Sequence, residues 1–343
     1  MTNAEKVAAF AYLGKAMANE NDINLQHAIR QAGFHNPWFT PENVSFALTQ
    51  WHKTLTSQNI EAWFAAEGIE PAAKPQKVGI VMAGNVPLVG LHDLLCVLAC
   101  GHKAVLKLSA DDSVLMQFVI DVLKRFHPTL AESIDCVERL HDIDAVIATG
   151  SNNTARYFEY YFGKYPHIVR KNRNSVAVLN GKETQTDLFN LGGDIFRYFG
   201  LGCRNVTHLY LPVGYKLPMF YDGIADWYEV LNNSRYANNY TYHKAILLMN
   251  LHQHLDNNFL LLKEDDLIYS PVGMLHYSFY DGLHNLEESI TSQNDAIQVA
   301  VGELSSIKTL PFGSTQMPKL TDYADQVNTI TFLKTICENL QGF

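Results

Sequence analysis

The spacing of apolar residues changes once along the chain, near residue 76. Before that point apolar residues recur at helical spacing, as in TPENVSFALTQWHKTL, where Thr40 is a candidate helix cap. The stretch AEGIEPAAKPQ, which contains two prolines, predicts a connector at the end of this region. The pattern therefore predicts a helical N-terminal segment over residues 1–75, packed on the domain that follows.

From Lys77 onwards, short β-branched runs alternate with amphipathic helical runs. In order they are KVGIVMAG, LVGLHDLLCVLAC, HKAVLKLS, SVLMQFVIDVLKRFH, DAVIATGS and NTARYFEYYFG. This alternation predicts βαβ units and a mostly parallel sheet, which binds ligands at the carboxyl ends of its strands. We expect a Rossmann-like α/β domain over residues 76–166.

A second alternation of strands and helices begins after His167. In order it consists of NSVAVLN, TDLFNLGGDIFRYFG, THLYLP, a helical zone from Lys216 to Leu251, NFLLLK, MLHYSFY and AIQVAVG. The pattern predicts a second α/β domain over residues 167–313, which a C-terminal segment over residues 314–343 follows.

The composition suits a globular enzyme with two cores, since 47% of the 343 residues are hydrophobic and 18% are charged. A formal net charge of -9 argues against a nucleic-acid partner, because neutralising phosphates requires a basic face. Between Tyr160 and Lys182 there is no Asp or Glu, which suggests a local patch for an anionic small molecule. A solvated basic face explains the same stretch equally well.

The N-terminus and the cysteines indicate the compartment. Glu5 and Lys6 interrupt what would be the apolar core of a signal peptide. Polar residues interrupt the most apolar window, Val78–Leu106, so it falls short of a membrane span. Five cysteines are an odd number in a long chain, which suits free thiols in a reducing compartment. We therefore expect a cytoplasmic protein without a membrane span.

Polar residues follow the first two strands of the predicted sheet. Gly84, Asn85 and Pro87 come directly after the first strand, where the Asn85 amide could donate to a developing oxyanion. A turn asparagine that binds its own backbone is the alternative interpretation. Lys107 ends the next strand, where an ammonium can reach ribose or phosphate oxygens of a nucleotide. A solvated lysine that closes the strand is again the alternative.

Thr149, Gly150 and Ser151 lie between an apolar strand and a helix. Backbone N–H groups and a helix N-terminus meet a phosphate in this geometry. One glycine makes no dinucleotide fingerprint, however, and Asn152 or Asn153 could simply cap the helix. The sequence leaves the phosphate turn and the plain cap both open.

Most cysteines and histidines of the chain predict no chemistry. Cys96 and Cys100 lie four residues apart on an apolar helix, and Cys337 falls in a similar setting, so we interpret them as core thiols. His252 and His254 have no clear third ligand near them in the sequence. We expect no metal site.

Cys203 differs from the other cysteines because it lies in a turn, within FGLGCRN. Gly200 and Gly202 permit a ligand to approach the backbone closely, and Arg204 could lower the pKa of the thiol. From these local features alone, a reactive thiol and a structural thiol are equally good interpretations.

Six stretches, in this order, resemble the aldehyde dehydrogenase superfamily. They span Gly84 to Gly313 and have the sequences NVP, CVLACGHKAVLKLS, TGS, FGLGCRNVTHLYLP, LIYSPVG and LPFG. The resemblance implies two doubly wound α/β domains, with Cys203 as the nucleophile and Asn85 as an oxyanion donor. It also implies that NADP is held by Gly84, Lys107, Ser109, Thr149, Gly150 and Ser151.

Two departures from the family pattern narrow the activity. Ordinary aldehyde oxidisers have a water-activating glutamate in the segment that corresponds to residues 167–175, and no carboxylate is present there. Leu267 matches the glutamate that usually holds the nicotinamide ribose, with Asp266 one position away. A cysteine site without a hydrolytic base suits thioester exchange and hydride reduction. The chain is most similar to bacterial acyl-CoA reductases of the luminescence fatty acid reductase type.

The resemblance implies NADPH-dependent reduction of a fatty acyl-CoA to an aldehyde through an S-acyl-cysteine. CoA enters as part of a small-molecule substrate, and the protein is expected to be a homo-oligomer. One alternative is another enzyme of the same fold, which oxidises an aldehyde or reduces an acyl phosphate. The other is a cysteine acyltransferase or acyl-binding protein that does not use nicotinamide.

Overall fold

The computed structural model describes residues 1–72 and 74–339, apart from the side chains of Asn152 and of residues 337–339. The chain forms two compact units, one of Met1–Asn172 with residues 319–339 and one of Arg173–Pro318. Each unit has its own sheet with helices, so the α/β class that the sequence predicts is confirmed. The interpretation of Cys337 as a core thiol lies outside the described residues.

The first unit opens with helices whose starts are capped by side chains. They are α1 (Asn3–Ala16), α2 (Ile23–His35), α3 (Pro41–Thr54) and α4 (Ser57–Glu67). Thr40 accepts the N–H of Asn43, and Pro41 fills the first helical position, where its missing N–H has no consequence. The predicted cap at Thr40 is therefore confirmed.

A parallel sheet follows, with the strand order β3-β2-β1-β4-β5. The elements of this part are β1 (Lys77–Val81), α5 (Leu91–Ala99), β2 (Lys103–Lys107), α6 (Ser113–Phe126), α7 (Pro128–Ser133), β3 (Ile134–Cys136), β4 (Ala145–Thr149), α8 (Asn152–Phe162) and β5 (His167–Arg170). The order of the strands reverses between β1 and β4. Open α/β sheets bind ligands at such a switch point, outside the carboxyl ends of the strands.

The second unit has a sheet with the strand order β11-β6-β7-β10-β9-β8, in which β8 pairs antiparallel with β9. Its elements are β6 (Asn174–Val178), α9 (Gln185–Phe196), β7 (Val206–Pro212), α10 (Leu217–Gly223), α11 (Ser234–Met249), β8 (Leu255–Asp256), β9 (Leu261–Glu264), β10 (Met274–Tyr280), α12 (Leu283–Ser292) and β11 (Ile297–Val301). The chain then returns to the first unit and forms α13 (Thr329–Asn339). The predicted strands NSVAVLN, THLYLP, MLHYSFY and AIQVAVG are all present.

Alternating residues of the first sheet face two different cores. Val78 and Ile80 of β1 lie in the larger core, which includes residues of α1 to α6 and α13. Val81 lies in a smaller core on the other face, with Phe158 and Phe162 of α8 packed against it. A parallel sheet covered on both faces explains why the sequences of its strands are nearly continuous apolar runs.

The second sheet is also built on alternation. Val176 and Val178 of β6 share a core with Tyr210 of β7 and with Leu286 and Ile290 of α12. Helix α9, which carries the residues before Cys203, packs against β7.

Among the described residues, no helix has both the length and the apolar character needed to cross a bilayer.

The acid-free stretch between Tyr160 and Lys182 is partly neutralised within the first unit. Arg170, at the end of β5, is buried and pairs with the Asp93 carboxylate of α5, and its Nη2 donates to Thr329 Oγ1 at 2.9 Å. Lys171 pairs with Glu159 at 2.9 Å. These two cations therefore have anionic partners of their own, and the stretch is not a continuous basic surface for a ligand.

Gly192 and Gly193 stand side by side in α9 and predict opposite effects on stability. A Cβ at Gly192 would lie 2.3 Å from Trp227 Cδ1, whereas a Cβ at Gly193 would lie 3.5 Å from its nearest Trp227 atom. Because Gly192→Ala must displace the packed indole, we expect it to lower the free energy of unfolding by about 1–3 kcal/mol.

Gly193→Ala is the matched control, and we expect it to raise the free energy of unfolding by up to about 1 kcal/mol through helix propensity. Urea titrations of the two variants and the parent measure both changes. Equal stability of the two variants would contradict the packing of Trp227 on α9.

Candidate active site

The carboxyl ends of β1 and β2 bring Gly84 and Ser109 together. Lys107 is in register with Val81, and the Met82 N–H donates to the Lys107 carbonyl at 3.1 Å. A Cβ on Gly84 would lie 2.4 Å from Ser109 Oγ, so this approach requires glycine. The Lys107 side chain is exposed at the same edge of the sheet. Three of the predicted cofactor-binding residues are therefore neighbours.

The predicted residues Thr149, Gly150 and Ser151 lie at the carboxyl end of β4, the strand next to β1. Ser151 caps α8, since its Oγ accepts the Thr154 N–H at 3.2 Å. The plain cap that the sequence leaves open is present, but the expected cap residues, Asn152 or Asn153, were wrong: Ser151 has that role, and both asparagines follow it in the helix. The phosphate turn stays a prediction, which the position of the α8 N-terminus at the switch point permits.

A buried carboxylate anchors the loop that carries Asn85. Asp112 Oδ2 accepts the Leu88 N–H at 2.8 Å, and Leu88 has a left-handed backbone with φ of 59°. Burial raises the pKa of Asp112 well above its usual range. Asn85 itself is exposed. The sequence gives no sign of this anchor, because an acid in the polar stretch SADDS resembles a solvated turn residue.

The predicted nucleophile, Cys203, lies between α9 and β7, at the amino edge of the second sheet, and is half-buried. Before it come three left-handed residues, Tyr198, Phe199 and Gly200, with φ of 55°, 59° and 77°. Glycine adopts this conformation freely, but each aromatic residue carries strain of about 1–3 kcal/mol. Burial of both rings offsets the strain, and the Phe199 ring packs on Tyr236.

Asn205 joins the two ends of the turn. The side chain is fully buried, and its Nδ2 lies 3.0 Å from the carbonyl oxygen of Asp194, 3.3 Å from that of Ile195 and 2.8 Å from that of Arg197. Its Oδ1 accepts the Gly202 N–H at 2.8 Å. One amide thus satisfies the open carbonyls at the end of α9 and fixes the turn after it.

Ser175 and Arg204 attach the turn to the rest of the second unit. Ser175 Oγ donates to the carbonyl of Cys203 at 3.0 Å, and the Ser175 N–H donates to the carbonyl of Asn205 at 3.2 Å. Arg204 Nε donates to the carbonyl of Thr315. The lowering of the thiol pKa by Arg204 stays a prediction.

The Asp194 carboxylate ties the LPFG stretch to the end of α9. It accepts the Gly313 N–H at 2.6 Å, the Thr315 N–H at 2.9 Å and the Thr315 hydroxyl at 2.8 Å. Burial raises the pKa of Asp194. Because both carboxylate oxygens accept hydrogen bonds, Asp194 is a structural anchor near the Cys203 turn.

The LIYSPVG stretch lies beside the start of β7. Thr207 Oγ1 donates to the carbonyl of Ile268 at 2.7 Å, and Ser270 Oγ donates to the carbonyl of Thr207 at 2.8 Å. The second unit therefore gathers three stretches that resemble family motifs: the Cys203 turn, LIYSPVG and LPFG.

Leu267 has an exposed apolar side chain and a firmly held carbonyl group. The carbonyl accepts hydrogen bonds from Nδ1 of His208 at 3.1 Å and from Nδ1 of His276 at 3.0 Å. Burial lowers the pKa of His208 to about 4, so this ring is neutral at physiological pH. No side-chain oxygen is present at Leu267 to hold a ribose, as the sequence indicates.

The other predicted residues are divided between the two units. Cys96 and Cys100 are buried in the larger core of the first unit, as predicted, and Cys136 is exposed. Asn85 belongs to the first unit and Cys203 to the second. The sequence did not point to Asp112, Ser175 or Asp194, and Asn205 stood out there only as the last residue of the turn FGLGCRN.

Solved structures of aldehyde dehydrogenases resemble most of the chain. No protein-family model matches the sequence, and no curated protein sequence matches it. Aldehyde dehydrogenase 21 from Physcomitrella patens, in complex with succinate, has a TM-score of 0.68 at 11% identity, over 98% of this chain and 85% of that chain.

Two further structures are complexes with NAD+. An aldehyde dehydrogenase from Bacillus cereus has a TM-score of 0.63 at 13% identity, over 90% of this chain and 73% of that chain. One from Mycobacterium tuberculosis has a TM-score of 0.62 at 14% identity, over 88% of this chain and 73% of that chain. The expected aldehyde dehydrogenase-like fold is therefore confirmed.

The buried Asp112 carboxylate predicts that stability depends on pH. Since its pKa is raised in the folded state, the folded chain binds this proton more tightly than the unfolded chain. The stabilisation is complete below the ordinary pKa of 3.8 and is lost as the pH rises through the raised value. Asp112→Asn keeps an oxygen for the Leu88 N–H without a charge. We expect this variant to exceed the parent in free energy of unfolding at about pH 8, by a margin that shrinks towards about pH 4.

Denaturant unfolding across this pH range measures the margin. Asp111→Asn makes the same change on the exposed neighbour and is the matched control. Asp112→Leu removes the acceptor of the Leu88 N–H and should be less stable than Asp112→Asn at every pH. A margin that does not vary with pH would contradict this account of Asp112.

Proposed function

We propose that this chain, whose fold is that of aldehyde dehydrogenases, is an NADPH-dependent acyl-CoA reductase. It would convert a fatty acyl thioester to an aldehyde through an S-acyl-Cys203 intermediate. The observation that carries the proposal is a half-buried cysteine on a fixed turn, in a chain without a carboxylate between Tyr160 and Lys182.

The proposed division of labour follows the two alternations of strands and helices in the sequence. Residues 76–166 would form the part that binds the nucleotide, with residues 1–75 packed on it, and residues 167–313 would form the catalytic part. We also propose that the protein is cytoplasmic, which rests on its free thiols, and that it is a homo-oligomer, which rests on the family resemblance.

Acyl transfer to Cys203 is the first chemical step. The thiolate attacks the thioester carbonyl carbon, the carbon–sulfur bond to CoA breaks, and CoA leaves with the electron pair of that bond and takes up a proton. The backbone N–H of Cys203 and the Asn85 amide would donate to the oxyanion.

Lack of a hydrolytic base would preserve the S-acyl intermediate. Net oxidation of an aldehyde requires a base that activates water against the thioester. The carboxylate of Asp194 is engaged by Gly313 and Thr315, and residues 167–175, which correspond to the family segment with the water-activating glutamate, contain no acid. The S-acyl-Cys203 thioester would therefore persist until it is reduced.

The carboxyl edge of the first sheet suits a dinucleotide. It has a switch point between β1 and β4, an exposed ammonium, hydroxyls and a helix N-terminus. The residues that would hold the cofactor are Gly84, Lys107, Ser109, Thr149, Gly150 and Ser151. NADPH, when bound, supplies the hydride that reduces the acyl carbonyl. The choice of NADPH over NADH rests on Lys107 and on the resemblance.

Release of the aldehyde regenerates the enzyme. The reduced carbon carries an oxyanion, and as its carbonyl forms again, the bond from carbon to Cys203 sulfur breaks and the thiolate is restored. The balance is acyl-CoA, NADPH and a proton giving aldehyde, CoA and NADP+. An aldehyde-oxidising or acyl-phosphate-reducing enzyme would share the nucleophile. The former would form an acid from an aldehyde, and the latter would release phosphate where the acyl-CoA reductase releases CoA.

A second candidate function is favoured by one observation. Leu267 presents an exposed apolar side chain where the family has its ribose-binding glutamate. A cysteine acyltransferase or acyl-binding protein without nicotinamide would have this feature. A thermal-shift scan with NADPH, NADH and CoA esters separates the candidates, because a specific ligand raises the melting temperature by mass action.

Exposure of the protein to acyl-CoA without nicotinamide tests the nucleophile and the acyl donor together. We expect one acyl adduct, on the peptide that contains Cys203, and its release as aldehyde when NADPH is added. Cys203→Ala should abolish turnover, and Asn85→Ala should lower kcat by about 100-fold, as the loss of one oxyanion donor does.

Cys136→Ser is the control, because Cys136 is an exposed thiol of the first unit outside the proposed site. It should keep the adduct and the parental rate. Turnover in the Cys203→Ala variant would refute the scheme, and formation of acid from aldehyde with NAD+ would select the oxidising alternative.

A further inference from the structure

Asn205 is a fully buried polar residue two positions after the proposed nucleophile. The two N–H groups of its Nδ2 are shared among three carbonyl oxygens at the end of α9, those of Asp194, Ile195 and Arg197, and its Oδ1 accepts the N–H of Gly202. A buried amide is tolerated when its hydrogen-bonding groups are paired, and here they are paired with the backbone of one turn. The function proposed above assigns Asn205 no role.

The hydrogen bonds of Asn205 close around Cys203. The Asn205 N–H donates to the carbonyl of Gly202 at 3.0 Å, while Oδ1 accepts the N–H of the same glycine at 2.8 Å. Both polar backbone groups of Gly202 are therefore held by one residue. From the other side, Ser175 Oγ holds the carbonyl of Cys203. The backbone of the nucleophile is fixed before and after the thiol.

The side-chain hydrogen bonds of Asn205 to Arg197 and Gly202, which we call the clamp, also oppose strain in the turn. Tyr198 and Phe199 have left-handed backbones, a conformation that persists only where the surroundings determine it strongly. Asn205 bonds the carbonyl of Arg197, immediately before them, and Gly202, shortly after them. Loss of the clamp would let the strained residues relax and carry Cys203 with them.

We propose that Asn205 is the positioning residue of the Cys203 nucleophile: it sets the direction of the thiol and of the backbone N–H that would bind the oxyanion. The inference rests on the role of Cys203 in the proposed function. Asn205 touches neither the reacting sulfur nor a substrate in this scheme, and it acts through the backbone.

Asparagine is specific for this role because the site needs donors and an acceptor in one short planar group. Aspartate has the same shape but no donor, so it would turn an oxygen towards the carbonyls of Asp194, Ile195 and Arg197. Asn205→Asp therefore breaks the clamp without changing the volume. Asn233→Asp is the matched control, since Asn233 caps α11 through its oxygen and aspartate caps a helix equally well.

The experiment compares two reactions of Cys203 in the full-length chain. Acylation by p-nitrophenyl acetate needs the thiolate and the oxyanion donor in one geometry, whereas alkylation by iodoacetamide needs an accessible thiolate and no oxyanion donor. Mass spectrometry of peptides separates Cys203 from the exposed Cys136. For Asn205→Asp we expect acylation about 100-fold slower, as for a misplaced catalytic group, and alkylation within about threefold of the parent.

Four results would overturn the proposal. These are unchanged acylation in Asn205→Asp, an equal loss of both reactions in a folded Asn205→Asp variant, the same loss of acylation in Asn233→Asp, and parental Cys203 no faster than Cys136 with the ester. Circular dichroism and the melting temperature establish folding.

If Asn205→Asp does not fold, the Ser175→Ala variant tests the proposal instead. We expect its acylation to fall by up to about tenfold while its alkylation is unchanged. Acylation of Ser175→Ala at the parental rate would overturn the proposal.

The ester probe keeps this test separate from the proposed activity. If Cys203 reacts with p-nitrophenyl acetate in the expected pattern but takes no acyl group from acyl-CoA, the proposed reductase function fails and the role of Asn205 stands. If acyl-CoA does label Cys203 and the ester pattern is absent, the positioning role fails alone.

Discussion

The end of α9 is the constraint on which the candidate catalytic turn depends. A helix leaves its last carbonyls without partners inside the helix, and buried carbonyls need partners. Here the Asn205 amide donates hydrogen bonds to these carbonyls from the other end of the turn. The end of α9, the turn and the start of β7 are thereby linked by hydrogen bonds. The position of Cys203 follows from this hydrogen bonding.

A second buried group extends the constraint to distant parts of the sequence. Asp194 lies at the same helix end, and its carboxylate holds the backbone of Gly313 and Thr315. Thr207 and Ser270 link the start of β7 to the LIYSPVG stretch in the same way. The three family-like stretches of the second unit therefore converge because buried polar groups at one sheet edge need partners.

The two units build their candidate sites by different means. In the first unit, parallel strands deliver Gly84, Lys107 and Thr149 to one carboxyl edge, and the close approach of Gly84 to Ser109 completes it. In the second unit, Cys203 precedes a strand and depends on a strained turn. Regular strand geometry suffices for the former, whereas the latter needs a specific clamp.

The periodicity of the sequence determined the elements and the fold class. Runs of β-branched residues between amphipathic helices predicted two α/β alternations, and Thr40 predicted a helix start, because these signals act between residues that are close along the chain. The glycines around Cys203 likewise marked its turn. The resemblance to aldehyde dehydrogenases added the fold, which the solved structures confirm.

Only the tertiary structure decided how the turn is held. Asn205 could be noticed in the sequence only as the last residue of FGLGCRN, and Asp112, Ser175 and Asp194 carried no local signal. The partners of Asp112, Ser175 and Asp194 lie far along the chain: the carboxylate of Asp194 accepts the N–H of Thr315, and the hydroxyl of Ser175 donates to the carbonyl of Cys203. A buried polar side chain acquires its role from whichever backbone group folding brings to it, and local sequence patterns do not contain that information.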